Sequence, residues 1–316
     1  MLIDFFRKDQ GLTYLRDVYH LNDEQTESIR SRAYYFDHQE PMTQEEIEHW
    51  LSLFRLLDEN AEVHDWMTNP KSGYEMVDDA VEMFLRETEI HPDTFDLSQL
   101  RFRCIHVSPS IDGGESIKDK GLLKLTDLLG GPSPLSNFLY SHGIVIQPSE
   151  RKILVEGKEY SLDKTDIAIK LYSTNSEIEA FIAGEIGTLK DYSCIEDAPE
   201  ILREISRFVY GNEDVLINEW AAQKKKLLYV SFDVSFDECA NITGMAQLND
   251  PDNLKRMMPF CSKRYEYELE PRAIWQNYWF IYQCLRNSCP DKELERDYMA
   301  VKADVSIGPE RITVNC

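Results

Sequence analysis

Apolar residues recur at intervals of three and four in the first part of the chain. From about residue 97 they give way to alternating or continuous apolar runs. The first pattern predicts helices. Asn22 stands before Asp23 and Glu24, acidic residues where a helix N-terminus favours them. Thr43 and Glu46 have the spacing of a capping box, and Ile47, Trp50, Leu51, Phe54 and Leu57 follow on one face. A third helix is expected over Tyr74–Arg86, and His91-Pro92-Asp93 closes the region. Its polar faces, rich in Asp and Glu, read as solvated surface.

Beyond this point strands are expected among helices. Leu100–Val107 reads as a strand, followed by a turn at Asp112-Gly113-Gly114 and a short amphipathic helix over Ser116–Leu129 that Gly121 interrupts. Ser141–Glu159 reads as two strands around a turn at Pro148-Ser149-Glu150. Helices are expected over Ser176–Gly187 and Pro199–Tyr210, and Leu227–Val234 has the composition of a buried strand. Asn249–Asp252 reads as a turn into a short helix ending at Met258, and Tyr278–Arg286 as a helix. Ala300–Ile307 and Arg311–Val314 read as closing strands across the Gly308-Pro309 turn. Segregated helices and strands predict an α+β fold. The expected organisation is a helical region over residues 1–96 and an α+β domain over 97–316, with an elaborated middle portion at about 145–225. No repeat is evident.

One stretch is unusual in this pattern. In Lys263-Arg264-Tyr265-Glu266-Tyr267-Glu268-Leu269-Glu270-Pro271-Arg272, three glutamates alternate with aromatic and apolar residues. A strand would place all three carboxylates on one face, where they repel one another. That pattern suits an exposed edge strand, or a site that uses closely spaced carboxylates. Arg272, two positions after Glu270, would share the face and offset the repulsion.

Composition narrows the classes of function. The chain of 316 residues is 42% apolar and has a formal net charge of −23, which opposes broad electrostatic binding to nucleic acid or an anionic membrane. It leaves room for a small basic site. Seven cysteines without a Cys-x-x-Cys pair suggest reduced thiols and a cytoplasmic protein. The first residues do not read as a signal peptide, and no run approaches the length of a membrane span. There is no phosphate loop, dinucleotide fingerprint, His-Glu-x-x-His or nucleophile elbow, and the seven histidines show no zinc-ligand spacing. No metal is therefore expected.

Three features remain, in chain order: His106 near the end of a strand with a helix ending in Gly121-Leu122 after it, Ser231 in a strand, and Glu268-x-Glu270. In these the chain resembles the ADP-ribosyltransferase superfamily. The stretch Tyr265–Ile274 and the later Val305-Ser306-Ile307-Gly308-Pro309 look like the C-terminal half of a prokaryotic family placed near these transferases, some of whose relatives act in toxin or phage-defence systems. The resemblance covers about residues 97–316 and leaves the helical N-terminus unmatched. Val107-Ser108 stands where the family has an aromatic after the histidine.

The resemblance implies a split antiparallel or mixed β core with helices, and NAD as substrate. It implies that Glu270 holds the ribose and stabilises the developing oxocarbenium charge, while Glu268 orients or deprotonates the acceptor. His106 and Ser108 would bind NAD, Ser231 would support Glu270, and Arg272 would tune the carboxylates. The acceptor of ADP-ribose would be a protein or a nucleic acid, and an antitoxin or regulatory protein would be a further partner. The competing expectation is a non-enzymatic module that keeps the fold and binds a protein through its acidic helical N-terminus. A hydrolase would require a Ser or Cys nucleophile beside a His.

Overall fold

The computed structural model describes residues 1–27, 96–163, 165–172, 178–193, 195–242, 271–288 and 296–315. The helices expected over Tyr74–Arg86 and after Thr43, the turn at Asn249–Asp252 and the three glutamates lie outside these residues. Helices and antiparallel sheets make the fold α+β. The described residues fall into two compact units. Residues 3–27, 96–100 and 271–288 belong to the first, and 101–242 with 296–315 belong to the second. The sequence suggested one cut near 97. The chain does change unit there, but the helix beginning at Pro271 groups with the N-terminal residues instead of the C-terminal domain.

In the first unit, α1 (Gln10–Tyr19) packs on the long helix that follows the glutamates, Pro271–Asn287. Gly11 makes this approach possible. A Cβ at that position would lie 2.6 Å from the Cys284 Sγ and 2.7 Å from its Cα. Asn287 is buried and fully used: its amide donates to the Phe5 carbonyl at 3.1 Å, and its Oδ1 accepts from the Gln10 backbone N–H at 3.1 Å. It thereby caps the N-terminus of α1 from 277 positions away. Phe5 meets Trp279 edge-on, and Tyr14 meets Phe280 in the same way. The helix expected after Asn22 begins with a reciprocal cap. The Gln25 N–H donates to Asn22 Oδ1 at 2.8 Å, and the Asn22 N–H donates to Gln25 Oε1 at 3.0 Å.

The second unit is built on a long antiparallel pair. Strand β1 (Arg101–Ser110) registers along its whole length against Lys226–Ser235. Strict alternation buries Leu228, Val230, Phe232 and Val234 on one face of that partner. After β1 come α2 (Glu115–Lys120), α3 (Leu125–Gly130) and α4 (Pro134–Ser141). A small meander follows, of β2 (Ile144–Gln147), β3 (Lys152–Val155) and β4 (Lys158–Ser161). Next are α5 (Asp166–Tyr172), β5 (Glu179–Ala183), α6 (Ile201–Tyr210), α7 (Asp214–Gln223), β6 (Lys226–Ser235) and β7 (Cys239–Ile242). Counting Pro271–Asn287 as α8, the chain closes with β8 (Asp297–Val301) and β9 (Thr313–Asn315). The central strands run in the order β9-β6-β1-β5-β8-β7. Helices α4 to α7 and the meander share their own core around Phe138, Leu139, Ile153, Leu202 and Trp220.

Three expectations change. Ser176–Gly187 was expected to be a helix, but Glu179–Ala183 is strand β5, paired with both β1 and β8. The expected strand Ala300–Ile307 is displaced toward the N-terminus, to Asp297–Val301. Arg272 is the second residue of helix α8, so the period-two face that would set it beside Glu270 does not extend to it. The interruption at Gly121 is confirmed. Its φ is +78°, it ends α2, and a Cβ there would come within 2.1 Å of the Ile307 carbonyl oxygen. Leu122 donates its N–H to that oxygen at 2.9 Å. Gly121-Leu122 and Ile307-Gly308, quoted separately from the sequence, thus meet in space.

Candidate functional site

Strands β1 and β5 register through Ile105 and Phe181 alone. Past that point the second half of β1 and the start of β5 flank a cavity of about 290 Å³. Helices α2 and α3, the first residues of α4 and α6, Lys170 of α5, Trp220 of α7 and Tyr298 of β8 also line it. Trp220 is fixed from two sides, since its Nε1 donates to the Pro109 carbonyl at 3.1 Å and its ring meets Phe138 edge-on.

His106 and Ser108 lie two residues apart on β1, hence on one face, and both line this cavity. The His106 Nδ1 is 2.8 Å from the Glu179 carbonyl oxygen. A carbonyl only accepts, so Nδ1 bears the hydrogen and Nε2 of the neutral ring presents a lone pair. Burial lowers the pKa of His106 and outweighs that hydrogen bond, which favours the neutral form at neutral pH. The Ser108 hydroxyl has no hydrogen-bond partner among the described residues. This face of β1 therefore offers the cavity an acceptor at His106 and a group that both donates and accepts at Ser108.

A wall of three aromatic rings faces the same space. The rings of Phe181 and Tyr298 are 5.1 Å apart and those of Tyr192 and Tyr298 are 4.8 Å apart, while Tyr192 meets Phe181 edge-on. Burial, then the neighbouring Tyr192, pushes the Tyr298 phenol up to about 12, so it stays protonated. The rings are inclined to one another by 45–89°, so they pack edge and face into one aromatic cluster at the cavity. No local pattern announces it, because the rings come from β5, from the segment after it and from β8, and β5 was expected to be helical.

The charged groups of the lining are mostly committed. Asp112 accepts from the Ser110 hydroxyl at 2.6 Å and from the N–H groups of Gly114 and Ser116 at 2.9 Å. Burial opposes its charge, but these hydrogen bonds prevail and bring its pKa to about 2. Lys170 pairs with Glu200 at 3.1 Å. Glu179 is exposed at the start of β5.

Ser231 does not join this group. Its Cα partners are Ile105 on β1 and Thr313 on β9, whereas His106 is opposite Val230. Partners across a ladder share a face and consecutive residues alternate, so Ser231 and His106 point to opposite sides of the sheet. The face of Ser231 holds an ion network instead. Arg103 donates to Asp233 at 2.7 Å, and Arg311 reaches Glu238 at 2.9 Å. The joint use of His106 and Ser231 inferred from the resemblance is thus not what the register builds. Arg272 is placed by its backbone in α8, and Glu268 and Glu270 lie outside the described residues.

Among the described residues no cluster of three or more His, Cys, Asp or Glu could hold a metal ion, and no helix is long and apolar enough to cross a membrane. Comparison with protein-family models, curated proteins and solved structures found no match to the chain.

Proposed function

We propose that the protein is an NAD-dependent ADP-ribosyltransferase whose NAD enters the cavity beside His106. The observation that supports this most is the convergence of His106, Ser108 and a cluster of three aromatic rings on one cavity in an antiparallel α+β unit. The neutral His106 accepts a hydrogen bond from a ribose hydroxyl or from the nicotinamide amide, and Ser108 donates to a ring substituent.

In the reaction, the bond between the nicotinamide nitrogen and the ribose carbon breaks and its electron pair leaves with nicotinamide. The oxocarbenium-like ribose is then taken by an acceptor nucleophile, whose proton passes to a base. The resemblance assigns ribose stabilisation to Glu270 and the base to Glu268. The acceptor is a protein or a nucleic acid, and the setting is cytoplasmic, as a toxin or phage-defence effector held by an antitoxin or regulatory protein.

Incubation of the purified chain with labelled NAD and a lysate, with nuclease and protease controls, tests this. Nicotinamide release or label transfer is expected, and Glu270→Gln should abolish it while the circular dichroism spectrum is unchanged. Undiminished activity in Glu270→Gln removes the catalytic assignment. Absence of any NAD-dependent activity, with a protein partner recovered on residues 1–95, favours the interaction module instead.

A further inference from the structure

The cavity changes character along its length. Ile111 lies five residues beyond His106, roughly 16 Å away in extended chain, and both line the cavity. At the Ile111 end the side chains are aliphatic. Ile111, Leu125 and Leu128 pack against the core that holds Leu135 and Trp220, yet each keeps part of its surface exposed. The polar groups at that end are satisfied within the protein. The Ser110 hydroxyl donates to Asp112 at 2.6 Å and accepts from the Gly114 N–H at 2.8 Å. The Ser133 hydroxyl donates to the Leu128 carbonyl and accepts from the Ser136 N–H at 3.0 Å. The Trp220 Nε1 is held by the Pro109 carbonyl, and Lys170 by Glu200. What this end presents to a ligand is therefore apolar surface with no hydrogen bond to complete.

We infer that the cavity also binds an uncharged aliphatic molecule with a hydroxyl or amide head, its chain lying along Ile111, Leu125 and Leu128 and its head donating to the His106 Nε2. Each methylene of the chain gains by leaving water, whereas a charged group on it would lose its hydration among aliphatic side chains. The head has a defined partner, because the His106 Nδ1 is taken by the Glu179 carbonyl and Nε2 is the acceptor. Size sets the length. A cavity of about 290 Å³ is about twice the roughly 150 Å³ that admits one benzene ring, which suits a molecule of about twelve heavy atoms. This ligand goes beyond the transferase reading, and one consequence rests on that reading. The head occupies the nitrogen assigned to NAD, so the aliphatic molecule acts on the transferase as a competitor.

Calorimetric titration with the straight-chain alcohols from butanol to decanol reads the chain separately from the head. Affinity should rise about fourfold with each added methylene. Leu128→Trp on α3 and Ile117→Trp on α2 fill the space from two different helices, and in each the rise should stop at a shorter chain while butanol binds as before. Octanol should bind about fivefold more tightly than heptyl methyl ether, which has as many heavy atoms and no donor, and His106→Ala should remove the difference. The inference is overturned if no alcohol binds, if affinity does not rise with length, if neither Trp variant shortens the limit, or if the ether binds as tightly as the alcohol. The KM for NAD, measured with and without octanol, separates the two proposals. A raised KM at unchanged kcat supports both. Octanol binding at an unchanged KM keeps the aliphatic site and removes NAD from it. NAD turnover without a chain-length series removes the aliphatic site and leaves the transferase.

Discussion

Gly121 is fixed by two independent constraints, a left-handed φ of +78° and an approach that leaves 2.1 Å between a hypothetical Cβ and the Ile307 carbonyl. Gly121→Ala should cost about 2–4 kcal/mol, since backbone strain adds to a clash with an atom that cannot rotate away. Urea denaturation will measure it, and a change below about 1 kcal/mol would mean that the loop yields. His106 gives a second test at this scale. Its pKa is lowered from the usual value near 6.5, so Nε2 is a free acceptor at neutral pH and is lost as pH falls through the lowered value. NAD affinity should accordingly fall on acidification in the wild-type chain and be flat over the same range in His106→Ala. The sequence singled out His106, Ser108 and Gly121; the first two line one cavity, and Gly121 ends α2 with a left-handed φ. It misplaced Ser231, since a serine in a strand says nothing of which face it takes until the register is known.

Helices α4 and α7 are joined by a histidine whose ring nitrogens both face acceptors. The His142 Nδ1 meets the Phe138 carbonyl at 2.8 Å, and Nε2 meets the Glu219 carboxylate. Burial lowers its pKa, but the carbonyl and the carboxylate together outweigh burial and raise it. A group whose folded pKa is raised stabilises the fold fully below its unfolded pKa, and that stability is lost as pH rises through the folded value. Unfolding free energy should therefore decline from about pH 6.5 upward, and Glu219→Gln should flatten the decline. Denaturation across that window, with the His142 proton followed by NMR, will show whether it does. Among the elements, helices with a periodic apolar face, such as Ile201–Tyr210, were readable in advance. Strand β5 was not. Its Glu, Ala, Phe and Ile run fits either state by pattern, and its neighbours β1 and β8, remote in sequence, decide the outcome by offering a ladder on each side.

At the scale of the whole molecule, a net charge of −23 sets carboxylates against one another in any compact state. Raising sodium chloride from about 10 mM to about 300 mM shortens the screening length to below 10 Å and should raise the melting temperature by a few degrees. A melting temperature that falls with salt would mean that ion pairs such as Arg103–Asp233 outweigh the repulsion. The α+β class was readable because apolar period changes along the chain. The division into units was not, because it depends on a helix late in the chain packing with one near its start, a pairing that no local pattern announces.

That pairing also sets an order of events. Gln10 waits for its cap from Asn287, 277 positions later. A ribosome adding about 5–20 residues per second needs roughly 14–55 s to supply it. Through that interval the apolar side of α1, with Leu12 and Leu15, has no permanent partner from α8. The first helix of this unit thus reaches its final packing only after almost the whole of the given sequence has been made.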